Sequence, residues 1–381
     1  LALCVQSADP FFFNSHGQVI VMTFSIQDYC VLLLLVIYLL SLGLFLRQQR
    51  HNKGAGWLLA ALLCWPLFMT DEWLRMSGLN ELAVLYGLSD VFAVIAITCC
   101  YRAIKPMLYL QPSAKKRLWL PAGITALLQV AALLIPATEK QRWLMASPIG
   151  DPLVLWPAYA APLVAGFSVL LIGILITEHM QTYHRHLPEQ AVDISEFKVT
   201  GLASVMGITV GIAFMSILLV TAATFGFFQL AAWESYYHLM LGAALLSILV
   251  SLLFARNTSP SPFDHERLDE GKATPYEMSS IISKAERHTI DSKAYKARRL
   301  TIAHFCDEAG LDATTLAIAL RVSDKKSFRR FIYHFRLEYA KKVLLRTDTK
   351  VAAVAKRLGL NSEKFLSDYL VKHLTKNGSG Q

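Results

Sequence analysis

The sequence lacks the short motifs that mark common active sites. It contains neither HExxH, which binds zinc, nor GxSxG, which presents a nucleophilic serine. Its six cysteines form no CxxC pair and lie mostly inside apolar runs, so they are interpreted as small hydrophobic residues rather than as a disulfide framework or a zinc site. These absences predict a protein that is not an enzyme and that needs no cofactor.

Charged residues are also scarce. They make up 17% of the chain against 54% hydrophobic residues, and the mean hydropathy is +0.42. Seven apolar stretches each approach the roughly 20 residues that a helix needs to cross a bilayer. They lie at about 28–46, 57–73, 82–101, 118–135, 153–176, 199–225 and 236–254. The sequence therefore predicts a seven-helix transmembrane domain over residues 23–255.

The basic residues between these stretches are distributed unevenly. The connectors after the first, third and fifth stretches hold Arg47, Arg50, Lys53, Arg102, Lys105, Lys115, Lys116, Arg117, Arg185 and Lys198, and the other connectors hold Arg75, Lys140 and Arg142. Because positive charge favours the cytoplasmic side, we expect the N-terminus outside and the C-terminus in the cytoplasm. Residues 1–22 would then be extracytoplasmic, either as the end of a signal peptide or as sequence upstream of a start at Met22.

Ionisable groups near the outer ends of the stretches are candidates for a ligand pocket, because a charge in hydrocarbon is costly unless it is paired or faces a cavity. Asp71 and Arg75 are four residues apart and are expected to pair. Asp90 is placed roughly two turns into the third stretch. For the aromatic members, an interfacial belt is the favoured alternative. The pocket candidates are Asp71, Glu72, Arg75, Asp90, Trp73, Trp156, Tyr159, Trp233, Glu234, Tyr237 and His238.

Three further features of the apolar part have simple interpretations. The last stretch contains no lysine, which excludes a retinal Schiff base there. His179, His184 and His186 are interpreted as part of a hydrated loop rather than as metal ligands. Gly207 and Gly211 form a GxxxG pair, for which packing inside the bundle is favoured over a dimer contact.

The last quarter of the chain is basic and has helical patterns. Residues 284–372 hold 20 Lys and Arg against 10 Asp and Glu, after a Pro- and Ser-rich linker at 256–280. In "VAKRLGLNSEKF", Gly359 separates two short helical patterns, as in a helix-turn-helix. The pattern recurs about 49 residues earlier around Gly310. The matched pairs are Phe305 with Val354, Cys306 with Ala355, Ala309 with Leu358, Gly310 with Gly359, Leu311 with Leu360 and Leu316 with Phe365.

The two units flank an amphipathic segment, "SFRRFIYHFRLEYAKKVLLRTD". This arrangement resembles the DNA-binding domain of AraC-family transcriptional regulators, most closely in "RLEYAKKVLL" and "VAAVAKRLGLNSEKF". The likeness covers about 281–373, and the whole layout is similar to bacterial AraC-type regulators with an N-terminal seven-helix membrane domain. It implies an all-α fold with a double helix-turn-helix domain at 281–374, followed by a linker-like tail at 375–381. The tail is either native or an artificial addition, and it is assigned no function.

The resemblance implies two sets of DNA contacts. Base-reading candidates on the second helix of each unit are Thr314, Thr315, Arg321, Glu363, Lys364, Ser367, Asp368 and Lys372. Phosphate-contact candidates are Lys325, Lys326, Arg329, Arg330, Lys341 and Lys342. The reading helices hold few of the long donors that bidentate base readout normally uses, so discrimination by Thr and Ser is expected to be weak.

These observations favour a membrane-embedded one-component regulator. Its expected partners are double-stranded DNA, membrane lipids, an unidentified small-molecule or lipid ligand and a second copy of the chain. A membrane receptor or transporter with a cytoplasmic helical module for binding protein is the alternative. The two differ in their response to salt, because DNA binding weakens steeply as the salt concentration rises.

Overall fold

The computed structural model describes residues 11–13, 19–21, 25–48, 54–78, 80–109, 116–227, 232–255, 275–323, 327–346 and 350–358. Two short strands, β1 (Phe11–Phe13) and β2 (Val19–Val21), form an antiparallel pair in which Phe12 lies opposite Ile20. The remaining regular structure in these ranges is helical. The predicted all-α class holds apart from this small hairpin.

Nine α-helices belong to the described part of the apolar region. They are α1 (Ile26–Gln48), α2 (Ala55–Phe68), α3 (Thr70–Ser77), α4 (Asp90–Leu108), α5 (Leu120–Leu133), α6 (Ala137–Met145), α7 (Trp156–Gln190), α8 (Thr200–Thr224) and α9 (Trp233–Phe254). Short 3₁₀ helices lie at Asn80–Leu85, Lys116–Trp119 and Ile194–Glu196. These bounds match the predicted stretches closely except at the third and fifth.

Six described spans are long and apolar enough to cross a membrane, with α2 and α3 forming one of them. A seventh is present if α5 and α6, which are bent by 110° relative to each other, count as one span. The bend has a local cause, because Pro136 caps α6 with extended backbone and has no N–H to continue α5. Together these helices indicate a multi-pass membrane protein.

The third and fifth spans differ from the predictions. Helix α4 begins only at Asp90, because the preceding residues form a 3₁₀ helix and a turn in which Gly87 has a φ of +80°. Asp90 is therefore at the start of its helix and not two turns inside it. Helix α7 continues to Gln190, so His179, His184 and His186 lie on a helix, and the loop interpretation is wrong. Among the described residues, no cluster of His, Cys, Asp and Glu is suited to a metal ion.

The chain divides into two compact units. The membrane unit comprises Leu1–Tyr101, Lys115–Ile174 and Ser204–Phe254. The second unit comprises Arg102–Ala114, Leu175–Ala203 and Ala255–Gln381. It is called the cytoplasmic unit below, after the orientation that the sequence predicts. Helix α7 therefore contributes its first part to the membrane unit and its last part to the cytoplasmic unit.

Helix α9 packs closely against α1 and α2 in the membrane unit. The indole Nε1 of Trp65 donates to the carbonyl of Gly242 at 2.8 Å, and the ring of Tyr38 stacks on Trp65 with 4.9 Å between centroids. A Cβ on Gly242 would lie 2.7 Å from the sulfur of Met69, so a larger residue here would require the Met69 side chain to move. By contrast, Gly207 and Gly211 are exposed and face open space, so the favoured packing of the GxxxG pair inside the bundle is wrong.

The cytoplasmic unit contains five further described helices. They are α10 (Pro275–Asp291), α11 (Ile302–Ala309), α12 (Ala313–Val322), α13 (Phe328–Arg346) and α14 (Val351–Arg357), with a 3₁₀ helix at Ala294–Lys296. Helices α11 and α12 form the predicted first helix-turn-helix. The hydroxyl of Thr301 caps α11, Gly310 ends it with a φ of +62°, and the carboxylate of Asp312 caps α12.

The buried positions of these helices follow the internal repeat. Phe305, Cys306 and Leu316 belong to the core of the first helix-turn-helix, and Val354, Ala355 and Leu358 form a smaller core with α13. Burial raises the pKa of the Cys306 thiol to about 12, with smaller contributions from Asp312 and Asp307. Cys306 is thus a core residue, as the sequence predicts. The second helix of the second predicted helix-turn-helix lies outside the described residues.

Candidate functional site

The first candidate site is a buried ionic cluster in the membrane unit. Helix α3 supplies Asp71, Glu72 and Arg75, α4 begins with Asp90, and the first turns of α9 supply Glu234 and His238. The carboxylates and the imidazole are each no more than 5% exposed. The structure thus brings together the six ionisable residues that the sequence singled out.

Arg75 connects three elements within this cluster. Its guanidinium donates to Glu72 Oε1 at 2.8 Å and to the carbonyl of Leu144 at 2.9 Å, and it also bonds the hydroxyl of Ser235. Glu234 Oε2 lies 3.8 Å away. The expected pairing of Arg75 with Asp71 is wrong, because Glu72, three residues earlier, occupies that position instead.

His238 lies between the acids of α3 and α4. Its Nδ1 is 3.3 Å from Glu72 Oε1, and its Nε2 is 3.9 Å from Asp71 Oδ2 and 4.0 Å from Asp90 Oδ1. The hydroxyl of Ser89 donates to Asp71 Oδ2 at 2.7 Å and is 3.4 Å from His238 Nε2. One imidazole therefore contacts acids from two helices, as is typical of a charge-dependent contact between them.

Two members of the cluster were not singled out from the sequence. Lys140 of α6 is 1% exposed and donates to the carbonyl of Val84 at 2.7 Å. Tyr86, in the turn before α4, donates its hydroxyl to Glu234 Oε2. Burial and the neighbouring Glu234 carboxylate raise the pKa of Tyr86 well above its ordinary value. Lys140 lies in the exposed-looking run TEKQR, and the bend before α6 brings it here.

The cluster contains more acid than base. Four carboxylates share it with one guanidinium, one ammonium and one imidazole. A protonated imidazole reduces the excess negative charge, which would otherwise be costly to bury.

Little open space remains inside the cluster. The cavity lined by Asp71, Tyr86, Asp90 and Glu234 has a volume of about 20 Å³, enough for one water molecule. The pocket expected from the sequence is therefore closed among the charged groups. A larger cavity of about 400 Å³ lies beside it, lined mainly by apolar side chains of α2, α4 and α5 and by the turn before α4.

The aromatic candidates fall into two groups. Tyr159 and Trp233 are buried and both donate to the carbonyl of Pro148 at 3.0 Å, and Tyr237 donates to the carbonyl of Pro162 at 3.1 Å. These three are structural supports beside the cluster. Trp156 is 47% exposed and Trp73 is half-buried, and neither lines the two cavities described above.

The second candidate site is the helix-turn-helix of the cytoplasmic unit. Residues 316–320 of α12 are all buried, in part because α10 packs along this helix. Thr314 and Thr315 are half-buried, and both the amide and the hydroxyl of Thr315 donate to Asp312 Oδ2. Helix α12, the described candidate for base reading, therefore presents fewer accessible side chains than its sequence indicates.

Arg321, the third candidate on α12, is already engaged. Its guanidinium donates to Glu189 Oε2 at 2.7 Å, and Glu189 belongs to the last turn of α7. Both side chains are mostly buried, with 23% and 18% exposed. The contact joins the long apolar helix to the candidate reading helix within the cytoplasmic unit.

The segment after α7 forms part of the same core. Val192 is fully buried among the residues of α11, α12 and α13, and its amide donates to the carbonyl of Leu300 at 3.1 Å. Ala191 forms a bridge with Thr301, the residue that caps α11. The segment 189–196 thus packs as a structural component of the helix-turn-helix domain, which no local sequence signal indicates.

A buried ion pair fixes this segment to α13. Arg336 is 1% exposed and donates to both carboxylate oxygens of Asp193, at 2.9 and 3.3 Å, and to the carbonyls of Tyr295 and Ala297. Asp193 also accepts from the amide of Arg299, whose side chain pairs with Glu196 at 2.5 Å. Every oxygen of the Asp193 carboxylate therefore has a donor.

The phosphate-contact candidates on α13 differ in accessibility. Arg330 and Lys342 are exposed, whereas Arg329 and Lys341 are half-buried and Arg329 lies 4.9 Å from the ring centre of Tyr333. Arg330 and Lys342 are thus the two best placed for a partner in solution. Lys325, Lys326, Glu363, Lys364, Ser367, Asp368 and Lys372 lie outside the described residues.

Comparisons with known proteins add no identification. The sequence matches no family model, no curated protein and no solved structure. The function therefore has to be argued from the two sites themselves.

Proposed function

We propose that this protein is a membrane-embedded, one-component transcription regulator of the AraC type. In this proposal the membrane unit senses a small-molecule, lipid or bilayer signal, and the C-terminal unit binds double-stranded DNA from the cytoplasmic side of a bacterial inner membrane. The N-terminus lies outside. The basic connectors after the first, third and fifth spans support this orientation.

One observation carries the proposal. The segment 189–196, which directly follows the longest apolar helix, packs into the core of the helix-turn-helix domain through Val192 and the Asp193–Arg336 ion pair. A movement of α7 would therefore be transmitted to α11, α12 and α13 without passing through residues 256–274. This is the mechanical connection that a one-component sensor requires. The predicted linker is shorter than 256–280, because α10 begins at Pro275.

The contact between Glu189 and Arg321 indicates which conformation would bind DNA less tightly. While Glu189 holds Arg321, the guanidinium is withheld from DNA. A ligand shifts an equilibrium only by its difference in affinity for the two states. A signal that binds preferentially to another packing of the membrane helices would therefore shift α7 and separate Glu189 from Arg321. The described conformation thus corresponds to the lower-affinity state for DNA.

A homodimer is part of this proposal. Gly207 and Gly211 face away from the other described helices, which leaves a small-residue surface on α8 for a second copy within the bilayer. A dimer would place two DNA-binding domains on one target and compensate for weak base readout by each.

A cytoplasmic module that binds protein is the second candidate function. It is favoured by the burial of residues 316–320 and by the half-buried Thr314 and Thr315, which leave little for base readout on α12. Under this alternative, α13 would offer an ordinary solvated basic face.

Salt dependence distinguishes the two functions. The full chain in nanodiscs is titrated with genomic DNA fragments at several salt concentrations, because an isolated C-terminal fragment would lack Val192 and Asp193. Each phosphate contact contributes about 0.9 to the slope of log K against log salt, so Arg330→Ala/Lys342→Ala is expected to reduce the slope by about 2.

The control for this titration is Arg142→Ala, which removes an exposed arginine from the membrane unit and should leave the slope unchanged. Absence of binding at low salt, or equal slopes for the double variant and the unmodified chain, would favour the protein-binding module.

A further inference from the structure

The apolar cavity beside the ionic cluster has the size of a ligand site. Its volume of about 400 Å³ lies within the range of about 300–1,000 Å³ that is usual for small-molecule pockets. Leu67, Leu85, Val130 and Leu133 line it and are 43–57% exposed, so its rim lies on the outer surface of the described helices. In a membrane protein, such a rim admits a hydrocarbon chain from the bilayer.

The cavity wall also contains an unsatisfied polar group. Gln129 of α5 lines the cavity and is 3% exposed. Its Nε2 has no partner at normal hydrogen-bonding distance and angle within the described part of the chain, although the Asp90 carboxylate is near enough to interact with it. A buried donor without a partner costs about 1–3 kcal/mol. A ligand that offers an acceptor at this point would recover that free energy.

Two hydroxyls complete the polar part of the wall. Thr70 Oγ1 donates its proton to the carbonyl of Leu67 at 2.7 Å, and Ser89 Oγ donates its proton to Asp71 Oδ2 at 2.7 Å. Each hydroxyl has used its only proton and offers lone pairs alone to the cavity. The wall thus presents one donor, Gln129, and two acceptors, Thr70 and Ser89.

The nearby charges restrict the ligand further. Ser89 connects the cavity to Asp71 of the ionic cluster, where carboxylates outnumber the bases, and Asp90 lies next to Gln129. An anionic head group would meet acceptor oxygens and negative charge together. An ammonium head group would satisfy the acceptors but leave the Gln129 donor without a partner.

We propose that this cavity binds a neutral, single-chain amphiphile with a hydroxyl head group. The alkyl chain fills the apolar cavity, the hydroxyl oxygen accepts from Gln129, and the hydroxyl proton is donated to Ser89 or Thr70. Binding rests on the geometry of the cavity alone, whereas its role as the sensed signal rests on the proposed function. Through Ser89, the bound head group lies one hydrogen bond from Asp71 and so from the cluster that joins α3, α4 and α9.

The test uses a diazirine-bearing analogue of dodecanol as a photoreactive probe of the full chain in phosphatidylcholine nanodiscs. We expect saturable labelling, mapped by mass spectrometry to the lining residues of α2, α4 and α5. Gln129→Leu should weaken labelling about fivefold, which corresponds to the loss of one neutral hydrogen bond. Unlabelled dodecanol should compete well and dodecanoate at least about tenfold less well, because of the adjacent carboxylates.

Two variants keep the result interpretable. Thr125→Val changes a buried residue one turn earlier on α5, whose hydroxyl donates to the carbonyl of Pro121 and does not line the cavity, so labelling should be unchanged. Ala126→Phe fills the cavity and should abolish labelling while the chain stays folded, as shown by its thermal unfolding. If the Gln129→Leu chain does not fold, the labelling of Ala126→Phe decides whether the probe binds in this cavity.

Three outcomes would overturn the proposal. These are labelling that does not saturate, labelling that survives both Gln129→Leu and Ala126→Phe, and labelling concentrated on the larger cavity of about 670 Å³ between α8 and α9, lined by residues such as Met215, Phe227 and Met240. The assay contains no DNA, so its failure would refute the ligand site without bearing on DNA binding. Loss of DNA binding would equally leave the labelling result intact.

Discussion

At the scale of single residues, the unusual feature of this chain is the number of charged groups that it buries. Asp71, Glu72 and Glu234 in the membrane unit, and Asp193 with Arg336 in the cytoplasmic unit, are buried groups that hydrogen bonds satisfy. Breaking such a pair costs more than the pair contributes, because the remaining charge is left buried alone. Conversely, replacing both partners by apolar residues is often nearly neutral in stability.

The Asp193–Arg336 pair is expected to follow this rule. Arg336→Met should lower the free energy of unfolding of the cytoplasmic unit by about 3–5 kcal/mol, because Asp193 keeps its charge in a mostly buried place. Adding Asp193→Leu should restore a large part of the loss. Hydrogen exchange of the α13 amides in the full chain measures both effects.

A loss in Arg336→Met no greater than that in Arg330→Ala, an exposed position six residues earlier, would contradict this account. So would a double variant that is less stable than the single one.

At the scale of elements, short-range signals predicted the helices of the cytoplasmic unit well. Gly310 and the repeated apolar positions give the bounds of α11 and α12, because helix ends and periodicity are encoded within one or two turns. The same reasoning failed at α4 and α7. There the beginning of α4 depends on a turn that Asp71 stabilises from α3. Helix α7 extends beyond its apolar part because its polar end is itself packed within the cytoplasmic unit.

The cap on α12 offers a test at this scale. Asp312→Ala removes the hydrogen bonds to the amide and hydroxyl of Thr315 and should cost about 1 kcal/mol. Cys306 is 1% exposed, and burial raises its pKa to about 12, so it reacts only when the unit opens locally. We therefore expect iodoacetamide to alkylate Cys306 about fivefold faster in Asp312→Ala.

The matched control for alkylation is Asp307→Ala. Asp307 also raises the pKa of Cys306 but is exposed and caps no helix, so any gain there reflects charge alone. Equal rates in the two variants would show that the cap contributes nothing to the stability of the unit.

At the scale of the whole molecule, the sequence singled out the ionisable members of the membrane cluster. It did not predict that the residues directly after α7 belong to the core formed by α11, α12 and α13. The association of 189–196 with the helix-turn-helix core arises from contacts between residues more than one hundred positions apart, such as Asp193 with Arg336, which local periodicity cannot report. The sequence also did not predict that the ionic cluster is closed. Lys140 and Tyr86 join the cluster through tertiary packing, which local periodicity cannot report.

The contact between the last turn of α7 and α12 provides the most direct test of the proposed regulator. Glu189 holds Arg321 at 2.7 Å, so the proposed regulator should bind DNA more tightly when this contact is weakened. Glu196→Gln is the matched control, since it removes the partner of Arg299, which is not a reading residue.

The most direct measurement is the affinity of the full chain in nanodiscs for DNA fragments selected from genomic DNA, compared between the unmodified protein, Glu189→Gln and Glu196→Gln. The account predicts that all three bind and that Glu189→Gln binds severalfold tighter, by about 1 kcal/mol, while Glu196→Gln matches the unmodified protein. Binding by none of the three would contradict the regulator itself, and equal affinities would contradict the connection from α7 to the reading helix.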